Sequence, residues 1–130
     1  MSNLQTQSRV LVVEDEPSLL ESIVDILTFE GHTVAGVKNG KLAVEYIQAY
    51  LPDIVITDVM MPEMDGYQLV KVIRDDPLTA ATPVILLSGH TDPDFIREGL
   101  ALGANLFIKK PFKLEDLVNA MDRILNASRH

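Results

Sequence analysis

Short, unbroken apolar runs recur along this chain, and a stretch with helical spacing follows each one. Val10–Val13, Ile54–Ile56 and Val84–Leu87 are wholly aliphatic, with weaker versions at Thr33–Val37 and Leu106–Ile108. A strand with one wet face alternates apolar and polar residues. A run without a polar alternate predicts a strand covered on both faces, as in a parallel sheet. Between the runs, Leu20, Ile23, Val24 and Leu27 follow i, i+3, i+4, i+7. Ala43, Tyr46, Ile47 and Tyr50 repeat that spacing, as do Leu114, Leu117, Val118 and Met121. Leu69, Val70 and Ile73 give a shorter stripe, and Phe95, Ile96 and Leu100 another. Pro17 and Pro93 suit first helical positions, Asp92 suits an N-cap, and Gly31 and Gly103 suit helix ends. Lys113, before Leu114, lacks an acceptor side chain and is a poor start signal. Strict alternation of five strands and five helices predicts an α/β fold, a parallel sheet with helices on both faces. Residues 9–126 are read as one unit, with tails at 1–8 and 127–130.

Charge and composition narrow what such a unit does. Eleven Lys plus Arg against nineteen Asp plus Glu leave a net charge of −8, which repels phosphate backbones and disfavours direct nucleic-acid binding. Cysteine is absent, removing thiolate metal sites, disulfides and Cys nucleophiles together. The first eight residues lack the basic and apolar regions of a secretory signal, and no apolar run approaches the ~18 residues of a membrane span. The expectation is a cytoplasmic domain with no membrane contact. The Asn126-Ala127-Ser128 acceptor triplet is therefore read as tail rather than as a glycosylation site.

In open α/β sheets ligands gather outside the carboxyl ends of the strands. The first run ends in Glu14-Asp15-Glu16 and the third in Asp58. The fourth ends in Ser88-Gly89-His90 and the fifth in Lys109-Lys110-Pro111. Several carboxylates, a hydroxyl and an ammonium thus converge on one sheet edge. Crowded carboxylates repel unless a cation sits among them. Oxygen ligands without His or Cys favour a hard ion such as Mg²⁺. Asp92 and Asp94, at a helix start, are read as cap and dipole partner. After the first run there is neither a G-x-G-x-x-G nor a G-K-[ST] loop, so a nucleotide site is disfavoured.

These residues resemble the receiver domains of two-component response regulators over essentially all of residues 9–126. The markers are Glu14-Asp15, Asp58 within Asp58-Val59-Met60-Met61-Pro62-Glu63-Met64-Asp65-Gly66, Ser88, Phe107 and Lys110-Pro111. The resemblance implies a flavodoxin-like doubly wound sheet in the order 2-1-3-4-5, the order of a chemotaxis member of that family. It implies Asp58 as phosphoacceptor, with Asp15, Asp58 and the Met60 backbone carbonyl holding Mg²⁺ (Mn²⁺ can substitute) and Glu14 acting through water. Lys110 would supply a point charge, Ser88 a hydroxyl to the phosphoryl group, and the Lys110–Pro111 peptide would be cis. Ser88 and Phe107 would form a switch that remodels the surface of the fourth helix, fifth strand and fifth helix. Two positions depart from the commonest pattern: Glu14 stands where many members carry Asp, and Phe107 where Tyr is frequent.

The implied partners are a sensor histidine kinase or a histidine phosphotransfer protein, selected through residues Pro17–Phe29, and a downstream output domain or protein. Phosphorylation-dependent homodimerisation stays open. Such a chain catalyses only its own aspartyl phosphorylation and dephosphorylation and is otherwise no enzyme. Two alternative readings compete with this one. A constitutive interaction module would carry a vestigial pocket, which the intact Asp15, Asp58, Ser88 and Lys110 disfavour. An aspartyl phosphohydrolase would carry D-x-D at the nucleophile, whereas position 60 is Met. His90 is read as a passive loop residue, the Met60, Met61 and Met64 group as ordinary loop, and His32 and His130 as uninformative.

Overall fold

The computed structural model describes residues 7–128. The elements are β1 (Arg9–Val13), α1 (Pro17–Phe29), β2 (Thr33–Val37), α2 (Gly40–Tyr50), β3 (Ile54–Asp58), α3 (Gly66–Asp75), β4 (Val84–Ser88), α4 (Pro93–Ala101), β5 (Leu106–Lys109) and α5 (Leu114–Ser128). All strand pairs are parallel and the sheet order is β2-β1-β3-β4-β5, as expected.

The period of two along a strand divides the core into two layers. Leu11, Val13, Val55 and Leu86 face α2 and α3 through Ala43, Ile47, Leu69, Val70 and Ile73. Val10, Val12, Ile54, Ile56, Ile85 and Leu87 face α1 and α5 through Ile23, Leu27, Leu117, Val118 and Met121. That is why β1, β3 and β4 read as unbroken apolar runs: neither of their faces meets water. Each such side chain contributes ~1.5–3 kcal/mol on burial. The edge strands β2 and β5 are half exposed, and their sequences are correspondingly less apolar.

Local chemistry fixes the ends of the helices. Asp92 caps α4 by accepting from the Asp94 N–H at 2.9 Å, and Pro93 opens that helix. Asn39 caps α2. Asp65 and Gln68 form a reciprocal capping box on α3. Gly31 (φ 98°) and Gly103 (φ 117°) hold left-handed conformations just past α1 and α4. Lys113 precedes α5, and its carbonyl accepts from the N–H groups of Asp116 and Leu117.

Three details differ from the sequence reading. Ser8 is buried, donating its N–H to His32 Nδ1 at 3.2 Å and accepting from the Thr33 N–H at 3.0 Å. The ordered unit therefore starts before residue 9, and His32 has a structural role. Helix α5 continues to Ser128, two residues past the expected boundary. On α4 the fully buried position is Gly99, while Leu100 is 43% exposed. Residues 1–6 and 129–130, including His130, lie outside the described residues. Among the described residues no helix is long and apolar enough to cross a membrane.

Candidate functional site

The carboxyl ends of β1, β3, β4 and β5 meet at one edge of the sheet, and the parallel register sets their order in space. Asp58 is the last residue of β3 and lies in register with Leu87, one residue before Ser88 closes β4. Ser88 lies in register with Lys109, and the Lys110 N–H donates to the Ser88 carbonyl at 2.8 Å. Glu14 follows β1 directly, its N–H donating to the Val37 carbonyl at 3.1 Å. Backbone pairing therefore delivers four chemically active side chains from four strands.

Glu14, Asp15 and Asp58 each present a carboxylate oxygen within 4.8 Å of the others. Glu14 is buried, Asp15 exposed and Asp58 buried, so the cluster opens to water on the Asp15 side. Lys110 Nζ donates to Glu14 Oε1 at 2.9 Å and sits 3.3 Å from Asp58 Oδ2. One ammonium thus serves two of the three acids. The other Glu14 oxygen accepts from the Glu16 N–H at 3.1 Å. Glu16 itself turns away from the cluster: its carboxylate caps α1 by accepting from the Leu19 N–H at 2.6 Å.

The electrostatic consequence falls on Asp58. Burial, reinforced by the negative charge of Glu14 and by that of Asp15, pushes its carboxyl up from an ordinary 3.8 to about 6, although Lys110 pulls the other way. Burial also works against the Lys110 ammonium. Its hydrogen bond to Glu14 and the charges of Asp58 and Glu14 outweigh that and hold it above its usual range. Three carboxylates against one ammonium, exposed at Asp15 and offering only oxygen ligands, are the donor chemistry of a hard divalent cation. The residues fit such an ion.

The remaining expected residues surround this centre. Ser88 is buried and its Oγ accepts from the His90 N–H at 3.0 Å. The Lys110–Pro111 peptide is cis. Met60, two residues after Asp58, exposes its side chain. Phe107 is half-buried on β5, in register with Leu86, and its ring meets the edge of Phe95 at 6.0 Å. Sequence reasoning missed two contributors. Gly66 packs on the end of β3 so closely that a Cβ there would lie 2.5 Å from the Asp58 carbonyl oxygen. Tyr67, the next residue, reaches α4. An Asp-x-x-Gln spacing at Asp65 was the available signal that α3 begins there.

A doubly wound sheet with two buried acids, an ammonium and a hydroxyl at its carboxyl edge defines a flavodoxin-like domain with an acidic, cation-ready site. The chain belongs to the response regulator receiver domain family, which it matches over residues 10–122, and is a phospho-accepting signalling domain of the two-component type. It is 36% identical over 112 residues to the DNA-binding response regulator MtrA of Mycolicibacterium smegmatis, covering 86% of this chain and 48% of MtrA. The chain thus spans about half the length of that relative. It is 35% identical to Histidine kinase P4 of Formosa agariphila over 92% of this chain and 9% of the kinase. Among solved structures, the chemotaxis response regulator CheY4 of Vibrio cholerae superposes with a TM-score of 0.87 at 33% identity, covering 92% of this chain and 99% of that one. The signal receiver domain of a Syntrophus aciditrophicus signal transduction histidine kinase gives 0.85 at 38% identity, covering 92% and 91%.

Proposed function

We propose that Asp58 is the phosphoacceptor and that it takes a phosphoryl group from the phosphohistidine of a sensor kinase or phosphotransfer protein. The observation that carries this reading is the Glu14, Asp15 and Asp58 cluster, with Lys110 Nζ between Glu14 and Asp58. An Asp58 carboxylate oxygen attacks phosphorus in line, the new O–P bond forming as the N–P bond breaks, and the donor imidazole leaves with its electron pair. Lys110 supports the negative phosphoryl oxygens, and Ser88 Oγ can donate to one of them once it gives up the His90 N–H. Glu14, nine-tenths buried or more, keeps Lys110 aimed at the acceptor.

Asp15, Asp58 and the Met60 carbonyl would hold Mg²⁺, or Mn²⁺ in its place, with Glu14 acting through water. When bound, the ion supplies charge neutralisation on the transferring group. The acids and the amine of the pocket are all in place, which leaves a constitutive module with a vestigial pocket without support. We further propose that the chain catalyses only its own modification and hydrolysis, that it works in the cytoplasm, and that Ser88 and Phe107 relay the modification to the α4–β5–α5 surface read by an output domain or a second copy. That one unit runs from Ser8 through α5 is likewise our reading.

Incubation with acetyl phosphate and Mg²⁺ tests the central claim. The intact mass should rise by ~80 Da, one phosphoryl group in place of a hydrogen, and Asp58→Asn should abolish the gain. A gain that survives Asp58→Asn would refute it.

A further inference from the structure

Helix α4 is weakly embedded. It is nine residues long, and its one buried residue is a glycine, Gly99. What fills the space above Gly99 is Tyr67 from α3: a Cβ at 99 would lie 2.9 Å from both Cε1 and the hydroxyl oxygen of Tyr67. The phenol donates its hydrogen to the Phe95 carbonyl, on the backbone of α4. Tyr67 thus fastens α4 to α3. Burial, helped by the Glu98 charge, raises its pKa, so the phenol remains a proton donor at neutral pH.

The other end of Tyr67 is anchored at the acceptor. Gly66, its neighbour, donates its N–H to the Val59 carbonyl at 2.8 Å, and its Cα abuts the Asp58 and Val59 backbone. The Tyr67 ring stacks on Phe95 with centroids 4.9 Å apart. Phe95 in turn meets His90 edge-on at 4.4 Å and Phe107 at 6.0 Å. The His90 N–H holds Ser88 Oγ. Side-chain contacts from the acceptor, through Gly66, and from His90 and Phe107 thus meet at one ring pair on α4, Tyr67 and Phe95.

We infer that Tyr67 is a positioning residue that latches α4 in its unmodified arrangement and releases it when Asp58 is phosphorylated. This rests on the phosphoacceptor reading above. A shift of the Asp58–Val59 backbone or of Ser88 Oγ displaces one end of the Tyr67–Phe95 stack, and the phenol's hydrogen bond to α4 opens. Because the two states exchange in a pre-existing equilibrium, weakening the latch raises the population that accepts a phosphoryl group.

The test compares the wild-type chain with Tyr67→Phe, which keeps the ring and removes the hydroxyl that donates to Phe95. Without phosphodonor, amide hydrogen exchange at residues 93–101 should rise about 2- to 10-fold, the range one net hydrogen bond spans. With acetyl phosphate and Mg²⁺, the initial rate of mass gain should rise in the same variant. Lost packing alone would lower stability without accelerating modification. Unchanged α4 exchange, or a modification rate equal to or below wild type, overturns the latch. A wild type that gains no mass sinks the phosphoacceptor reading and the coupling with it, whereas a normally modified wild type beside an inert Tyr67→Phe sinks Tyr67 alone.

Discussion

Replacing Asp58 with Asn in the metal-free protein should stabilise it. Asp58 carries a pKa of about 6 in the folded chain against an ordinary 3.8, because burial and the Glu14 charge oppose its ionisation. A carboxyl with a raised folded pKa favours the folded state only while protonated. Below pH ~3.8 it is neutral in both states and carries no penalty; from there to about pH 6 the unfolded chain ionises first and stability falls; above about 6 the penalty is constant. At 1.36 kcal/mol per pKa unit the gap corresponds to about 3 kcal/mol. The cluster opens to water beside exposed Asp15, so screening reduces this to about 1–2 kcal/mol. Asn removes the charge while Glu14 retains Lys110 at 2.9 Å. Urea unfolding in EDTA at pH 7.5 should therefore find Asp58→Asn more stable by that amount. The difference between the two proteins should shrink toward pH 4.5, where other titrations largely cancel. Mg²⁺ should reverse the ranking, since a cation at 100 times its Kd adds about 2.7 kcal/mol to the protein that binds it. An Asp58→Asn protein that is no more stable in EDTA at pH 7.5, or a difference indifferent to pH, would refute this electrostatic account.

Lys110→Met should destabilise by about 2–4 kcal/mol in urea titrations, because it leaves buried Glu14 facing Asp58 without their shared cation; it should also suppress the phosphoryl mass gain. Gly66→Ala should cost about 1–3 kcal/mol, since the new Cβ would lie 2.5 Å from the Asp58 carbonyl oxygen, and thermal unfolding reads this directly. Arg74 donates to the carbonyls of Ala80, Thr82 and Gly103 and to Asn105 Oδ1, tying α3 to the loops before β4 and β5. Arg74→Met should cost about 2–3 kcal/mol by calorimetry, and Arg74→Lys should not restore it, because a single ammonium cannot reach that spread of acceptors.

The sequence by itself determined the alternation of buried strands and helices. Val10–Val13, Ile54–Ile56 and Val84–Leu87 suit strands covered on both sides, and the acids, hydroxyl and amine that follow them share an edge once the strands run parallel. Burial leaves its mark on composition residue by residue, so these features are written locally. Tertiary structure alone decided how the charges are apportioned. Glu16, adjacent to two site acids, is spent on capping α1, and Lys110 lies closer to Glu14 than to Asp58. It also decided that α4 buries a glycine against a tyrosine from α3 in place of Leu100 from its own stripe. Those outcomes depend on ångström-scale distances between segments tens of residues apart, and hydrogen bonds and Coulomb forces at such range have no periodicity along the chain from which to be read.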